Sequence, residues 1–103
     1  MTTIEILKKA RDLLSDPERW TQNVGARTAQ GIPVSADSKE AVCFCASMAV
    51  VKVSNEVTPI HFPKVLDFDR WSDLFMWNDA PERTHAEILQ RFDEAIARLE
   101  AAG

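Results

Sequence analysis

Apolar positions set the first element. Ile6, Leu7, Ala10, Leu13 and Leu14 recur at helical spacing until Asp16-Pro17 interrupts them, and Thr2 with Glu5 forms a capping box ahead of them. The spacing predicts a helix over residues 3–15. Between Arg19 and Val34 the period is lost. Trp20, Val24 and Ile32-Pro33-Val34 flank a Gln30-Gly31 pair, which reads as a short irregular β-hairpin. Asp37-Ser38-Lys39-Glu40 then places a cap signal before a nearly continuous apolar run from Ala41 to Val51. That run, rich in alanine and apolar on almost every face, predicts a buried central helix over 38–52. Pro59 and Pro63 make residues 54–66 a loop with at most a short extended piece, Val57 to Phe62. A short third helix, capped by Asp67 or Asp69, runs through Met76 with Phe68, Trp71, Leu74 and Phe75 on its apolar side. The last helix, 84–101, opens on a Thr84/Glu87 capping box and carries Ile88, Leu89, Phe92, Ala95, Ile96 and Leu99 on one stripe.

The expected fold class is therefore mainly α: three to four helices around a buried central helix, with a small β-hairpin between helices one and two. A chain of 103 residues with 46% hydrophobic and 27% charged positions fits one domain, 1–103, with a single core. The net charge of −4 is uneven. Residues 1–52 hold seven Lys/Arg against six Asp/Glu, and residues 53–103 hold five against ten. Such a balance supplies no basic face for wrapping nucleic acid, so none is expected as a partner. The basic strip Lys8-Lys9 with Arg11 reads as a solvated helix face. No cationic leader followed by an apolar stretch opens the sequence, and the longest apolar run is far short of a membrane span. Two cysteines, Cys43 and Cys45, suit a reducing compartment, so a cytoplasmic protein with no membrane partner is expected.

The densest segment is Trp77-Asn78-Asp79-Ala80-Pro81-Glu82-Arg83-Thr84-His85-Ala86-Glu87. Its Asn, Asp and Pro imply a sharp turn ahead of the final helix. With Trp20-x-Gln22, Gly31 to Val34 and Cys45-Ala46, it gives a chain that resembles an uncharacterised family, a domain of unknown function, of small bacterial and phage-borne proteins. Those proteins share Trp-x-Gln, Cys-Ala and Trp-Asn-Asp-x-Pro-x-Arg-Thr motifs. Members carry a Gly a few residues after the Cys, where this chain has Ser47-Met48-Ala49. The resemblance implies a shared fold and no established activity.

Several candidate chemistries remain. A cysteine-dependent hydrolase or transferase would use Cys43 or Cys45 as nucleophile with His85 as base, and the predicted helix puts Cys43 nearer its positive end. A Cys43/Cys45/His61/His85 metal set lacks finger-like spacing, and the Asp67/Asp69/Asp73 run lacks the Gly and Glu of a calcium loop, so neither metal nor cofactor is expected. Trp20, Trp71 and Trp77 read as packing anchors, Trp77 holding the turn against Trp20. A recognition reading has Asn78, Asp79, Arg83 and His85 converge with Gln22 as the candidate binding residues. In the structural alternative, Asn78 and Asp79 bond backbone while Arg83 pairs with Asp79 or Glu82. The leading expectation is a small soluble binding or accessory protein with an unknown protein or small-molecule partner, or a homo-oligomer.

Overall fold

The computed structural model describes residues 2–54 and 62–102. Helix α1 spans Thr3–Leu13, and its capping box is formed: the Thr2 hydroxyl accepts from Glu5 N–H (3.2 Å) and the Glu5 carboxylate accepts from Thr2 N–H (3.3 Å). Leu7, Ala10 and Leu14 are fully buried. Pro17 stops the helix, and Asp16 caps a single 3-10 turn, Pro17–Arg19. The chain then enters a three-stranded antiparallel sheet of β1 (Ala26–Arg27), β2 (Pro33–Val34) and β3 (Cys43–Phe44), in the order β2-β1-β3. The β1–β2 hairpin pairs Ala26 with Val34 and Arg27 with Pro33. Gly31, at φ +83°, closes its loop, and Thr28 Oγ1 accepts from the Gln30 and Ile32 N–H groups.

The predicted helix over 38–52 is corrected. Ser38 Oγ accepts from Glu40 N–H in a local turn. Val42 N–H donates to Arg27 C=O (2.9 Å), and Cys43 and Phe44 pair with Arg27 and Ala26. The exposed edge of β1 needs a partner, and a Val-Cys-Phe run satisfies it; this tertiary demand overrides the local cap signal. Helix α2 then runs Ala46–Ser54, with Ala46, Ser47, Ala49 and Val50 buried. Gly25 lies so close to it that a Cβ there would come within 2.8 Å of Met48 Cγ.

Of the loop expected over 54–66, residues 55–61, with most of the extended 57–62 piece, lie outside the described residues. Phe62–Val65 form a single helical turn, α3, and Asp67, at φ 70°, leaves it in the left-handed region. Helix α4 covers Trp71–Asp79 and starts after Arg70 without a side-chain cap, so neither Asp67 nor Asp69 caps it. It also runs past Met76. Trp77, Asn78 and Asp79 are thus the last turn of a helix, and the sharp turn falls at Ala80–Glu82. Helix α5, His85–Ala102, buries Ile88, Phe92, Ala95 and Ile96. The Thr84/Glu87 box precedes it: Glu87 N–H donates to the Thr84 hydroxyl (3.2 Å), and the Glu87 carboxylate accepts from Thr84 N–H (2.9 Å).

Helix α1 packs on both α2 and α5, and α2 packs on α4. The fold is mainly helical with a small sheet, and α1 rather than a 38–52 helix joins its two sides. Lys8 and Arg11 are not simply solvated. They pair with Glu100 (3.1 Å) and Asp93 (2.8 Å) of α5.

Candidate functional site

Asn78 is the centre of the polar structure. It is 1% exposed, on the last turn of α4. Its Oδ1 accepts from Trp20 Nε1 (2.9 Å) and from Ala46 N–H (3.0 Å), while its Nδ2 donates to Thr21 C=O (3.2 Å) and to Asp79 Oδ1 (2.9 Å). The amide orientation follows from chemistry: an indole N–H and a backbone N–H can only donate, and a carbonyl can only accept. Both lone pairs and both hydrogens of the side chain are used. Ala46 is the first residue of α2, so Asn78 supplies from another helix the acceptor that a local cap provides elsewhere.

Gln22 completes the junction. Its Nε2 donates to Asn78 C=O (2.9 Å) and Ala80 C=O (2.8 Å), satisfying carbonyls at the end of α4. Asp79 Oδ1 also accepts from Asn23 N–H (2.8 Å), which holds Asn23 at φ 72°. Trp20 further forms a parallel bridge with Phe44. Residues 20–23, the start of α2 and the end of α4 are thereby joined.

Of the five residues expected to converge, the structure brings Gln22, Asn78 and Asp79 together; Arg83 and His85 belong to adjoining contacts. Arg83 pairs with Glu87 (3.0 Å), not with Asp79 or Glu82, donates from Nε to Trp77 C=O (2.9 Å), and lies 4.5 Å from the Trp77 ring centroid. A cation just before α5 is unfavourable for that helix, yet the Trp77 carbonyl belongs to the negative end of α4, which favours it. Trp77 does not reach Trp20. It stacks at a tilt on Phe68 (5.5 Å) and carries Arg91 at 4.8 Å, while Trp20 turns to Asn78. His85 Nε2 meets Leu14 C=O at 2.6 Å, so that nitrogen carries the proton, and its ring lies 6.2 Å from the Trp20 ring.

The cysteines are placed differently from the sequence expectation. Cys45, not Cys43, stands immediately before α2, with Ala49 N–H donating to its carbonyl. Its thiol is 1% exposed and 3.2 Å from Ser47 Oγ. Burial pushes the thiol's pKa up, against the lowering effect of hydrogen bonds from Ser47 and Met48. Cys43 is also buried, its thiol against Arg27 C=O (3.8 Å). Neither thiol is hydrogen-bonded to His85, whose Nε2 is taken by Leu14. The cysteine–histidine constellation is not assembled, since the apolar interior holds the thiols and the helix junction holds the imidazole.

Asp73 pairs with Arg70 and Asp67 with Arg98, each at 3.5 Å. Among the described residues no group of three or more His, Cys, Asp or Glu could hold a metal ion, and His61 lies outside them. Among the same residues no helix is long and apolar enough to cross a membrane.

Sequence reasoning missed one surface. The end of α1, the 3-10 turn, the approach to β3 and α2 enclose an open cleft of about 290 Å³, lined by Leu13, Arg19, Ala41, Val42, Phe44 and Lys52. No spacing along the chain connects these positions; the irregular segment and strand at Ala41–Phe44, where a helix was expected, form one wall of the cleft.

Residues 1–98 match the family described as a family of unknown function, DUF6197, and the chain belongs to that family. No curated protein and no solved structure matches it.

Proposed function

We propose that this member of a family of unknown function is a small binding or accessory protein with no covalent chemistry of its own. In this reading Gln22, Asn78, Asp79, Arg83 and His85 serve recognition indirectly, as the brace that holds a preformed face around the cleft. The observation that supports it is the distribution of used and unused polar groups. Asn78 has every side-chain hydrogen-bonding position occupied from within the chain, whereas Arg19 and Lys52, at the cleft, have no hydrogen-bond or ion-pair partner among the described residues. Groups already bonded inside a fold build it, and unpaired groups beside a concavity are available to a ligand. The setting we propose is the cytoplasm of a bacterium, chromosomal or phage-borne, which rests on the resemblance and on the two unpaired cysteines.

Val42 is 45% exposed in the cleft, and Met76 is 73% exposed on α4. Affinity capture from the native host, combined with native mass spectrometry, compares wild type, Val42→Arg and Met76→Arg. The expected result is a bound species, protein or small molecule, retained by wild type and Met76→Arg and lost with Val42→Arg. Equal recovery by all three overturns the assignment of the cleft. Rapid modification of Cys43 or Cys45 by iodoacetamide in the folded protein would return the reading to a thiol enzyme.

A further inference from the structure

Resting on the cleft assignment above, we propose that the occupant is a small monocarboxylate with a short apolar body. Leu13, Ala41, Val42 and Phe44 present hydrocarbon and an aromatic ring, a surface that favours an apolar body over a bare ion. The volume of about 290 Å³ lies at the small end of ligand sites and suits a short chain or one ring.

Most of the arginines are engaged within the chain. Arg11, Arg70, Arg83 and Arg98 are in ion pairs, Arg27 bonds Thr21 Oγ1 and the Gly31 and Gln22 carbonyls, and Arg91 bonds Leu66 C=O. Arg19 is the one arginine among the described residues whose side chain has no such partner. Asp16, three residues before it, accepts from Glu18 N–H instead. Lys52 shares the cleft and likewise has no partner among the described residues. A planar guanidinium receives a carboxylate through two parallel hydrogen bonds, and an ammonium adds a point charge from a flexible stem. Two cations around an apolar floor thus match one anionic head on a hydrocarbon body.

The test is an NMR titration of the full chain, following Leu13, Val42 and Phe44, with hexanoate, hexanamide and inorganic phosphate as probes. Hexanoate is expected to move these signals and to bind roughly tenfold more tightly than hexanamide, the difference a charge-assisted pair supplies. Arg19→Gln and Lys52→Gln, both at exposed positions, are each expected to weaken hexanoate several-fold and to leave hexanamide unchanged. Absence of shifts at the cleft, equal affinity for hexanoate and hexanamide, or phosphate binding as tightly as hexanoate overturns the proposal. If hexanoate fails while Val42→Arg still abolishes capture, the ligand class falls and the cleft stands; if both fail, the cleft itself is lost as a site.

Discussion

Asn78 shows how one residue can be read correctly by type and wrongly by place. Its polarity beside Asp79 and ahead of Pro81 signalled a turn, because Asn commonly bonds its own neighbouring backbone. In the structure it sits in a helix and bonds to residues far away in sequence, Trp20, Thr21 and Ala46. Nothing local reveals this, since the partners depend on how α2 and α4 pack. The proximity of Gln22 to this segment was legible from the paired motifs, but its amide faces two backbone carbonyls. Removing the Asn78 amide leaves the Ala46 and Trp20 N–H groups and the Thr21 carbonyl without their partner in a buried site. Each buried orphan costs about 1–3 kcal/mol, so Asn78→Ala is expected to destabilise the fold by roughly 3 kcal/mol in urea unfolding. Asn78→Leu keeps the volume and removes the polarity, and it should lose a similar amount. A leucine variant within about 0.5 kcal/mol of wild type, the usual range for an inconsequential substitution, would show that packing, not hydrogen bonding, is what the position requires.

Elements whose signals are local were legible to within a residue or two. Helices α1 and α5 each begin with a Thr-x-x-Glu box and carry an apolar stripe, two signals that agree. The run from Ala41 to Val51 had no such agreement: a cap signal pointed to helix, while Val, Cys and Phe suited the open edge of β1. Where local signals conflict, strand pairing across the chain decides. The boxes also make a pH prediction. Hydrogen bonds from Thr84, backbone first and hydroxyl second, hold the Glu87 carboxyl below its ordinary pKa, and bonds from Thr2 do the same for Glu5. A carboxylate whose folded pKa is depressed contributes stability above its unfolded pKa and loses it as pH falls through the folded value. Thr84→Ala should therefore lower Tm by about 5 °C at neutral pH, and the gap from wild type should narrow on acidification through the carboxylate range. It should also raise the Glu87 titration midpoint seen by carbon NMR. A gap that stays constant down to strongly acidic pH would mean the hydroxyl acts without the carboxylate.

At the scale of the molecule, one apolar cluster draws on nearly every element. Leu7 and Ala10 of α1, Ala26 of β1, Phe44 of β3, Ala46, Ala49 and Val50 of α2, Leu74 of α4, and Ile88, Phe92, Ala95 and Ile96 of α5 all belong to it. Helix α1 links the two ends of the chain: it packs on α2 and α5, and Arg11 and Lys8 reach Asp93 and Glu100. The Lys8–Glu100 pair, about half exposed on both sides, adds little to stability, so the apolar contact carries the closure. A core shared in this way cannot be dismantled piecewise, because removing any one helix exposes the apolar face of another. Urea unfolding should thus be a single transition in which helix content and tryptophan fluorescence coincide, with the Trp20 signal reporting the α2–α4 junction and Trp77 the contacts of α4 with Phe68. Leu7→Ala, which empties a fully buried site on α1, is expected to cost about 3 kcal/mol. It should move both probes to lower urea together. If instead fluorescence falls before helix content, in wild type or in the variant, the junction held by Asn78 opens independently of the α1–α5 core, and the brace is a separate unit resting on that core.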